Sequence, residues 1–334
     1  MKAWQIVGEG GVDGLALADV ASPEPGPGEV RVRMEANSIN YRDLLTILDP
    51  VGRKLPYPRV PNSDGAGVVS MVGAGVTEVA VGDRVASCFF QDWEDGTCSP
   101  KAMASALGGA VDGVLAEEVI LRQRGVVTIP AHLSSEQAAT LPCAALTAWH
   151  ALVEVGRVKA GDTVLLLGTG GVSIFALQFA VAMGVRVILT SSSDEKLARA
   201  RAMGADETIN YRTTPDWERV VLELTDGRGA DTTVEVGGAG TLEKSINATR
   251  VAGAVALIGV LTGGTIDPTL VMRRSIRLQG VYVGSRRMFA DMNRAIEHHR
   301  IEPVIDHALG FDSAPDAYRA MQAAGHFGKI VIRL

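Results

Sequence analysis

The chain has 334 residues, 47% apolar and 21% charged, which is enough for two domains with separate cores. Its net charge of −6 argues against a nucleic-acid surface, where a basic stripe is expected. No apolar run reaches the length of a membrane span, and the opening MKAWQIVGEGG lacks the apolar core of a signal peptide. Cys88, Cys98 and Cys143 do not make a disulfide framework, which suits a reducing cytoplasm.

The first third is rich in glycine, proline and short β-prone runs. Gly28–Met34 alternates as a half-buried strand should, and Ala66–Val72 and Asp83–Ser87 continue the pattern. Turns at Val72–Gly75 and Val81–Asp83 separate them, which points to a small barrel or sandwich. A short helix is expected over Asn40–Leu48. From about Ala131 the texture becomes helical: Ser134–Gln137 fits a capping box. Pro142 is placed to start a second helix, which ends at Gly156. Strands follow at Thr163–Leu167, Val185–Thr190, Glu207–Ile209, Asp231–Val236, Ala254–Ile258 and Arg277–Val283, with helices between most of them. Six strands with interleaved helices describe a doubly wound parallel sheet, an α/β fold. A helix over Met288–His299, a short second one and a strand at Lys329–Leu334 complete the chain and return it to the first domain.

The strongest motif lies between the first two of those six strands. Gly168-Thr169-Gly170-Gly171-Val172-Ser173 is a glycine turn that opens an apolar helix. A helix N-terminus offers free N–H groups and partial positive charge, so the turn suits a dinucleotide pyrophosphate. Ser173 stands where the full fingerprint has its third glycine; it is small enough for close helix–strand packing. Gly73–Gly75 leads into a strand and turn instead, and Gly238–Gly240 reads as the start of a helix at the rim of the same cleft.

Three signatures in order resemble the medium-chain dehydrogenase/reductase superfamily across nearly the whole chain. They are Gly65–Val76 with Val81–Val85, Ala139–Trp149 ahead of the glycine turn, and His326–Ile332. The resemblance implies a GroES-like β-barrel catalytic domain (1–128 and 286–334) and a Rossmann domain (129–285). Hydride transfer would take place in the cleft between them. It also implies a homodimer formed through the sheet edge near Thr269–Val283, with a small-molecule substrate as the other partner.

Zinc-dependent members hold their metal with a Cys, a His and a second Cys, often beside a Glu. In this sequence those places fall on Asn40, on Ser63 and Asp64, and on Cys143. Catalytic zinc needs about three strong ligands and an open position. Cys143 and Asp64 alone are too few, so the expectation is a zinc-free enzyme. Without a Lewis acid an alcohol is hard to deprotonate near neutrality, whereas hydride delivery to an electrophilic acceptor asks less. The Asn-Tyr-x-Asp turn without zinc ligands resembles the branch of quinone oxidoreductases and enone reductases. That resemblance places Asn40 beside the nicotinamide, with Tyr41 or Asp43 orienting the acceptor or the ribose. Packing by Tyr41 and helix capping by Asp43 are the alternatives. Thr147 either faces the nicotinamide or bonds its own backbone.

NAD sites usually place an acidic residue at the end of the second strand. Here that place holds Ser191, followed by Ser192, with Lys196 one turn on; these suit a 2′-phosphate and favour NADP(H). Tyr211 falls where relatives approach the adenine ribose phosphate. Gly237, Ile258, Val260, Val283 and Ser285 follow later strands, where backbone lines such clefts, although each glycine there also serves a turn. Phe327 and Lys329 are expected to close over the cofactor, as the resemblance suggests. Phe89, Phe90 and Trp93 form either an apolar substrate wall or core. The leading expectation is a zinc-independent NADPH-dependent reductase of quinones, enones or similar acceptors. The alternatives are an alcohol/aldehyde dehydrogenase and a non-catalytic NADPH-binding redox sensor.

Overall fold

The computed structural model describes all 334 residues, which divide into two compact units. One is Met1–Leu146 with Val283–Leu334; the other is Thr147–Tyr282. The first unit opens with β1 (Lys2–Ile6) and β2 (Leu15–Asp19), an antiparallel pair. It continues with β3 (Glu29–Ile39), β4 (Asp64–Val72), β5 (Arg84–Ser87), β6 (Glu118–Arg122) and β7 (Val126–Thr128). The second unit carries β8 (Thr163–Leu167), β9 (Arg186–Ser191) and β10 (Glu207–Asn210). It also carries β11 (Ala230–Glu235), β12 (Thr249–Leu257) and β13 (Arg277–Gly280). The chain ends with β14 (Ile305–Gly310) and β15 (Lys329–Arg333), which belong to the first unit.

The first unit's main sheet has the order β14-β15-β3-β4-β5-β7, with β6 also paired to β3. β3 is long enough to bind three partners, and its register sets the site. Ile39 lies opposite Ile330 of β15, and Ser38 lies opposite Asp64 of β4. Gly67 is needed where β3 and β4 close up, since a Cβ there would lie 2.1 Å from Arg33 O. One apolar core gathers Ile39, Leu44, Ile47, Tyr318 and Ile330; a second gathers Val30, Val32, Val69, Val85 and Val119. Phe89, Phe90 and Trp93 are buried, with Phe90 edge-on to both other rings, and the Arg42 guanidinium lies 4.7 Å over Phe89. These aromatic residues are core, not an open substrate wall.

The capping box at Ser134 forms: Ser134 Oγ accepts from Gln137 N and Gln137 Oε1 accepts from Ser134 N. Its helix, Ser135–Ala138, packs with the first unit, not the second as the sequence predicts. Two bonds hold it there: Ser135 Oγ donates to Glu35 at 2.6 Å, and Arg333 Nε donates to Glu136 at 2.8 Å. Residues 141–156 then form one helix with Pro142 in its first turn. It is wound with i→i+5 bonds over Leu141–Ala145 and His150–Gly156 and as α-helix between them.

The second unit is a six-stranded parallel sheet of order β10-β9-β8-β11-β12-β13. β8 is buried along its whole length, so it reads as a continuous apolar run without alternation. Strand order reverses between β8 and β11, the point where ligands bind in such sheets. β12 starts five residues before the predicted strand, at Thr249, which pairs with Ala230 of β11 ahead of a register shift. β13 stops at Gly280 instead of Val283, and Val283 takes a left-handed φ of 57°. No helix is long and apolar enough to cross a membrane.

Tyr318 OH donates to Asn62 Oδ1, and both side chains are fully buried. Tyr318→Phe strands that oxygen away from water, so stability is expected to fall by about 1–3 kcal/mol. Urea unfolding checks it; an unchanged midpoint contradicts the bond's contribution.

Candidate active site

In the first unit, the ends of β3, β4 and β15 bring a buried polar chain together. Lys329, the first residue of β15, is 3% exposed. Its Nζ donates to Ile39 O at 2.8 Å and to Asn40 Oδ1 at 2.6 Å. Asn40 Nδ2 faces Ser63 Oγ at 3.5 Å, and Ser63 Oγ donates to Asp64 Oδ1 at 2.7 Å. The other Asp64 oxygen accepts from Cys143 N at 3.0 Å. Burial pushes the Asp64 carboxyl up to about 6, against the pull of Lys329 and the bonds from Ser63 and Asn40. Burial likewise lowers the Lys329 ammonium, while Asp64, Cys143 and Asp43 hold it up.

Asn40 precedes the helix Tyr41–Leu48, and its backbone N donates to Asp43 Oδ2 at 2.9 Å. Arg42 takes the other Asp43 oxygen at 2.9 Å. Asp43 is therefore occupied as a helix cap and ion-pair partner. Tyr41 is 37% exposed on the same first turn and makes no part of the buried chain.

In the second unit, Gly168 follows β8 at φ 73°, a conformation that favours glycine, and its N bonds Thr190 O. Gly170 precedes the helix Gly171–Ala182, whose first amides have no partner within the helix. A Cβ on Gly168 or Gly170 would meet nothing within 4 Å, so open space faces the turn. Ser173 Oγ donates to Leu167 O at 2.6 Å, tying helix to strand where the fingerprint would have glycine. Thr169 is buried, while Gly171 and Val172 are half-buried.

Ser191 ends β9, buried, and its carbonyl accepts from Tyr211 N at 3.1 Å. Ser192 and Lys196 are half-buried; the Tyr211 side chain is exposed. Asp194, the nearest acid, accepts from Asn210 Nδ2 at 2.7 Å. Gly237 N donates to Glu235 Oε1, and its carbonyl accepts from Leu261 N and Thr262 N. Ile258 N donates to Glu235 O, and Val260 stands open to solvent.

The remaining expected residues are divided between the two units. Lys329 starts a strand paired with β3, and its Nζ donates to Asn40 and Ile39. Val283, Ser285 and Phe327 belong to the first unit and are buried; Ser285 Oγ caps the helix Arg286–His299 through Met288 N. Thr147 is buried at the start of the second unit. Sequence reasoning missed Glu235. It is fully buried at the end of β11, where it accepts from Gly237 N, Gly238 N, Thr241 Oγ1 and Ser245 Oγ. An acid closing the apolar run before Gly237-Gly238 was the available signal.

Two family models match: "Alcohol dehydrogenase GroES-like domain" over residues 26–131 and "Zinc-binding dehydrogenase" over 171–298. A zinc-type alcohol dehydrogenase-like protein of Schizosaccharomyces pombe is 42% identical over 333 residues, covering 97% of this chain and 96% of that one. The chain belongs to the medium-chain dehydrogenase/reductase superfamily. The first unit is thus the superfamily's GroES-like domain and the second its Rossmann domain. A quinone oxidoreductase of Pseudomonas aeruginosa is 35% identical, covering 78% of this chain and 74% of that one. A solved structure described as NAD-dependent alcohol dehydrogenase superposes with a TM-score of 0.91 at 37% identity and full coverage of both chains. The protein is an oxidoreductase of this superfamily.

The residues at the superfamily's zinc position do not fit the metal. Of the four side chains there, Asn40 already accepts from an ammonium and Ser63 is a neutral hydroxyl. Both Asp64 oxygens are bonded to protein donors, and burial beside Asp64 pushes the Cys143 thiol far above its usual range. Metal binding requires thiolate and free carboxylate lone pairs. No group of three or more His, Cys, Asp or Glu side chains is placed to hold a metal elsewhere.

Asp64 gives a pH signature. Its carboxyl ionises at about 6 when folded and near 3.8 when exposed, so the folded state binds more protons between those values. Stability is expected to fall as pH rises through that window, by about 3 kcal/mol in all. Asp64→Asn should flatten that part of a stability–pH curve measured by denaturant unfolding; an equal slope in both proteins contradicts it.

Proposed function

We propose that the protein is an NADPH-dependent reductase that passes hydride to a quinone, enone or similarly activated carbonyl acceptor without catalytic zinc. The observation that carries this reading is Lys329 Nζ, 2.6 Å from Asn40 Oδ1, an internal cation in the superfamily's zinc position. An ammonium donates hydrogen bonds but is no Lewis acid with open coordination sites, so the site favours acceptors that are already electrophilic. The P. aeruginosa quinone oxidoreductase supports this acceptor class.

The cofactor supplies the hydride when bound. Gly168, Thr169, Gly170, Gly171 and Val172 present the open turn and helix amides that suit its pyrophosphate. Ser191 and Ser192, with no carboxylate at the end of β9, leave room for a 2′-phosphate, with Lys196 and Tyr211 close in sequence. Glu235 holds the Gly237-Gly238 turn at the end of β11, and the Ile258–Val260 segment follows β12. We assign the protein to the cytoplasm on its three free cysteines. We also infer a homodimer through β13, beside which Val260, Leu261, Met272 and Tyr282 are exposed.

The names of the S. pombe relative and of the NAD-dependent structure favour a second reading, alcohol or aldehyde oxidation. Chelator-treated, metal-analysed protein is to be tested for NADPH oxidation against quinones, enones and aldehydes. Turnover of quinones or enones without metal is expected; activity confined to aldehydes, or lost with the metal, overturns the reductase reading. NADPH binding with no turnover would leave a sensor. Ser191→Asp is expected to lower preference for NADPH over NADH by at least about tenfold, by repelling the 2′-phosphate; an unchanged ratio of kcat/KM values removes Ser191 from the cofactor site. Light scattering on a sizing column should give a dimer mass; a monomer contradicts the β13 interface.

A further inference from the structure

The glycine turn after β8 has β9 on one side and β11 on the other. The side chains that suit a 2′-phosphate follow β9, so the nicotinamide half of a dinucleotide extends over the ends of β11 and β12. Glu235 is the last residue of β11 and is fully buried. Its Oε1 accepts from Gly237 N at 2.7 Å, Gly238 N at 3.0 Å and Thr241 Oγ1 at 2.7 Å, and its Oε2 accepts from Ser245 Oγ. One carboxylate thus fastens the turn to the helix Ala239–Ala248.

The segment after β12 hangs on the same fastening. Ile258 N and Gly259 N donate to Glu235 O, while Leu261 N and Thr262 N donate to Gly237 O. Thr262 O and Oγ1 accept in turn from Ala239 N and Gly240 N. A Cβ on Gly259 would run into the Val236 and Gly237 backbone, so the two segments meet main chain to main chain. With every amide from Gly237 to Gly240 taken, this helix start is closed to phosphate, unlike the one after β8. The Val260 amide and the carbonyls of Val236, Ile258 and Gly259 have no protein partner. A nicotinamide carboxamide carries the matching set, one acceptor and two N–H donors.

We propose that Glu235 is a positioning residue for the cofactor: its carboxylate holds the Val236–Gly238 and Ile258–Thr262 main chain in the shape that receives the nicotinamide ring. This rests on the NADPH reading above and involves the second unit alone. Backbone fixed in advance needs no ordering when the ring arrives, which strengthens binding. Glu235 acts through that backbone and is itself sealed from solvent.

The test compares NADPH with 2′-phospho-ADP-ribose, which keeps the pyrophosphate and 2′-phosphate and lacks only the nicotinamide. Binding to the full-length protein is read by calorimetry, and for NADPH also by nicotinamide fluorescence. In the wild type that emission is expected to brighten and move to the blue on binding. Glu235→Met strands four donors, whereas Gly237→Ala keeps the carboxylate and drives a methyl into Thr241 Oγ1. Both should weaken NADPH at least about tenfold and lose the emission change, while 2′-phospho-ADP-ribose binds within about twofold of wild type. The conservative variant Glu235→Gln should restore both signals: its carbonyl replaces Oε1, and its amide donates to Ser245 Oγ. Should Glu235→Met not fold, Gly237→Ala decides alone. Equal loss of both ligands marks a merely structural role and overturns the proposal. Unchanged NADPH binding in Gly237→Ala, loss in Glu235→Gln, or no emission change on NADPH binding to the wild type also overturns it. A wild type that binds no NADPH overturns the cofactor reading and this proposal with it. The expected pattern without turnover of any acceptor keeps Glu235 in its role and overturns the reductase reading alone.

Discussion

One lysine ammonium, buried 289 residues downstream of the asparagine it holds, organises the first unit's polar interior. Taking an ammonium out of water costs several kcal/mol unless oxygens replace its hydration. Here Ile39 O and Asn40 Oδ1 do so, and Asp64 adds an opposing charge. The sheet delivers them: β15, β3 and β4 are neighbours, and their register sets Ile330 against Ile39 and Ser38 against Asp64. A one-residue slip of either pairing would turn these side chains to the other face. The site's electrostatics and the sheet's register therefore support each other.

The second unit works by the opposite means. Its candidate cofactor turn relies on backbone: a left-handed glycine, a helix start and open space in front of both. Side chains there are scaffolding. Ser173 ties helix to strand, and Glu235 accepts four hydrogen bonds that shape the next strand's turn. Such a surface recognises phosphate in general, so discrimination between the two nicotinamide dinucleotides rests on the few side chains after β9.

This division explains what the sequence reveals. The strand–glycine–helix–strand unit, both Ser134 and Pro142 as helix starts, and the six parallel strands follow from contacts within a few dozen residues, where periodicity and caps speak directly. The neighbours Phe327 and Gly328 suggest a cofactor lid at Lys329, whereas its bonds to Ile39 and Asn40 depend on strand pairing across the whole chain, which local sequence does not display. Phe89, Phe90 and Trp93 left wall and core open because an aromatic cluster has the same composition in either role, and only burial separates them. Asp64 was weighed as a poor ligand, since a lone acid beside Ser63 gives no hint of a buried counter-charge. Asp43 was ambiguous for a local reason: cap and substrate contact use the same two oxygens, and the cap with Arg42 takes both.

Magnitudes connect the buried chain to the direction of the proposed reaction. A hydroxyl with the pKa of water, about 15.7, is roughly 12 kcal/mol uphill to ionise at neutrality. A metal removes much of that; one neutral amide donor supplies about 3–4 kcal/mol to a developing oxyanion. A neutral amide donor is thus far too weak to drive alcohol ionisation by itself. An enone or quinone asks less of the protein, because its conjugation already spreads the arriving charge. We infer that an ammonium–carboxylate pair in the metal position favours reduction of activated acceptors over oxidation of alcohols.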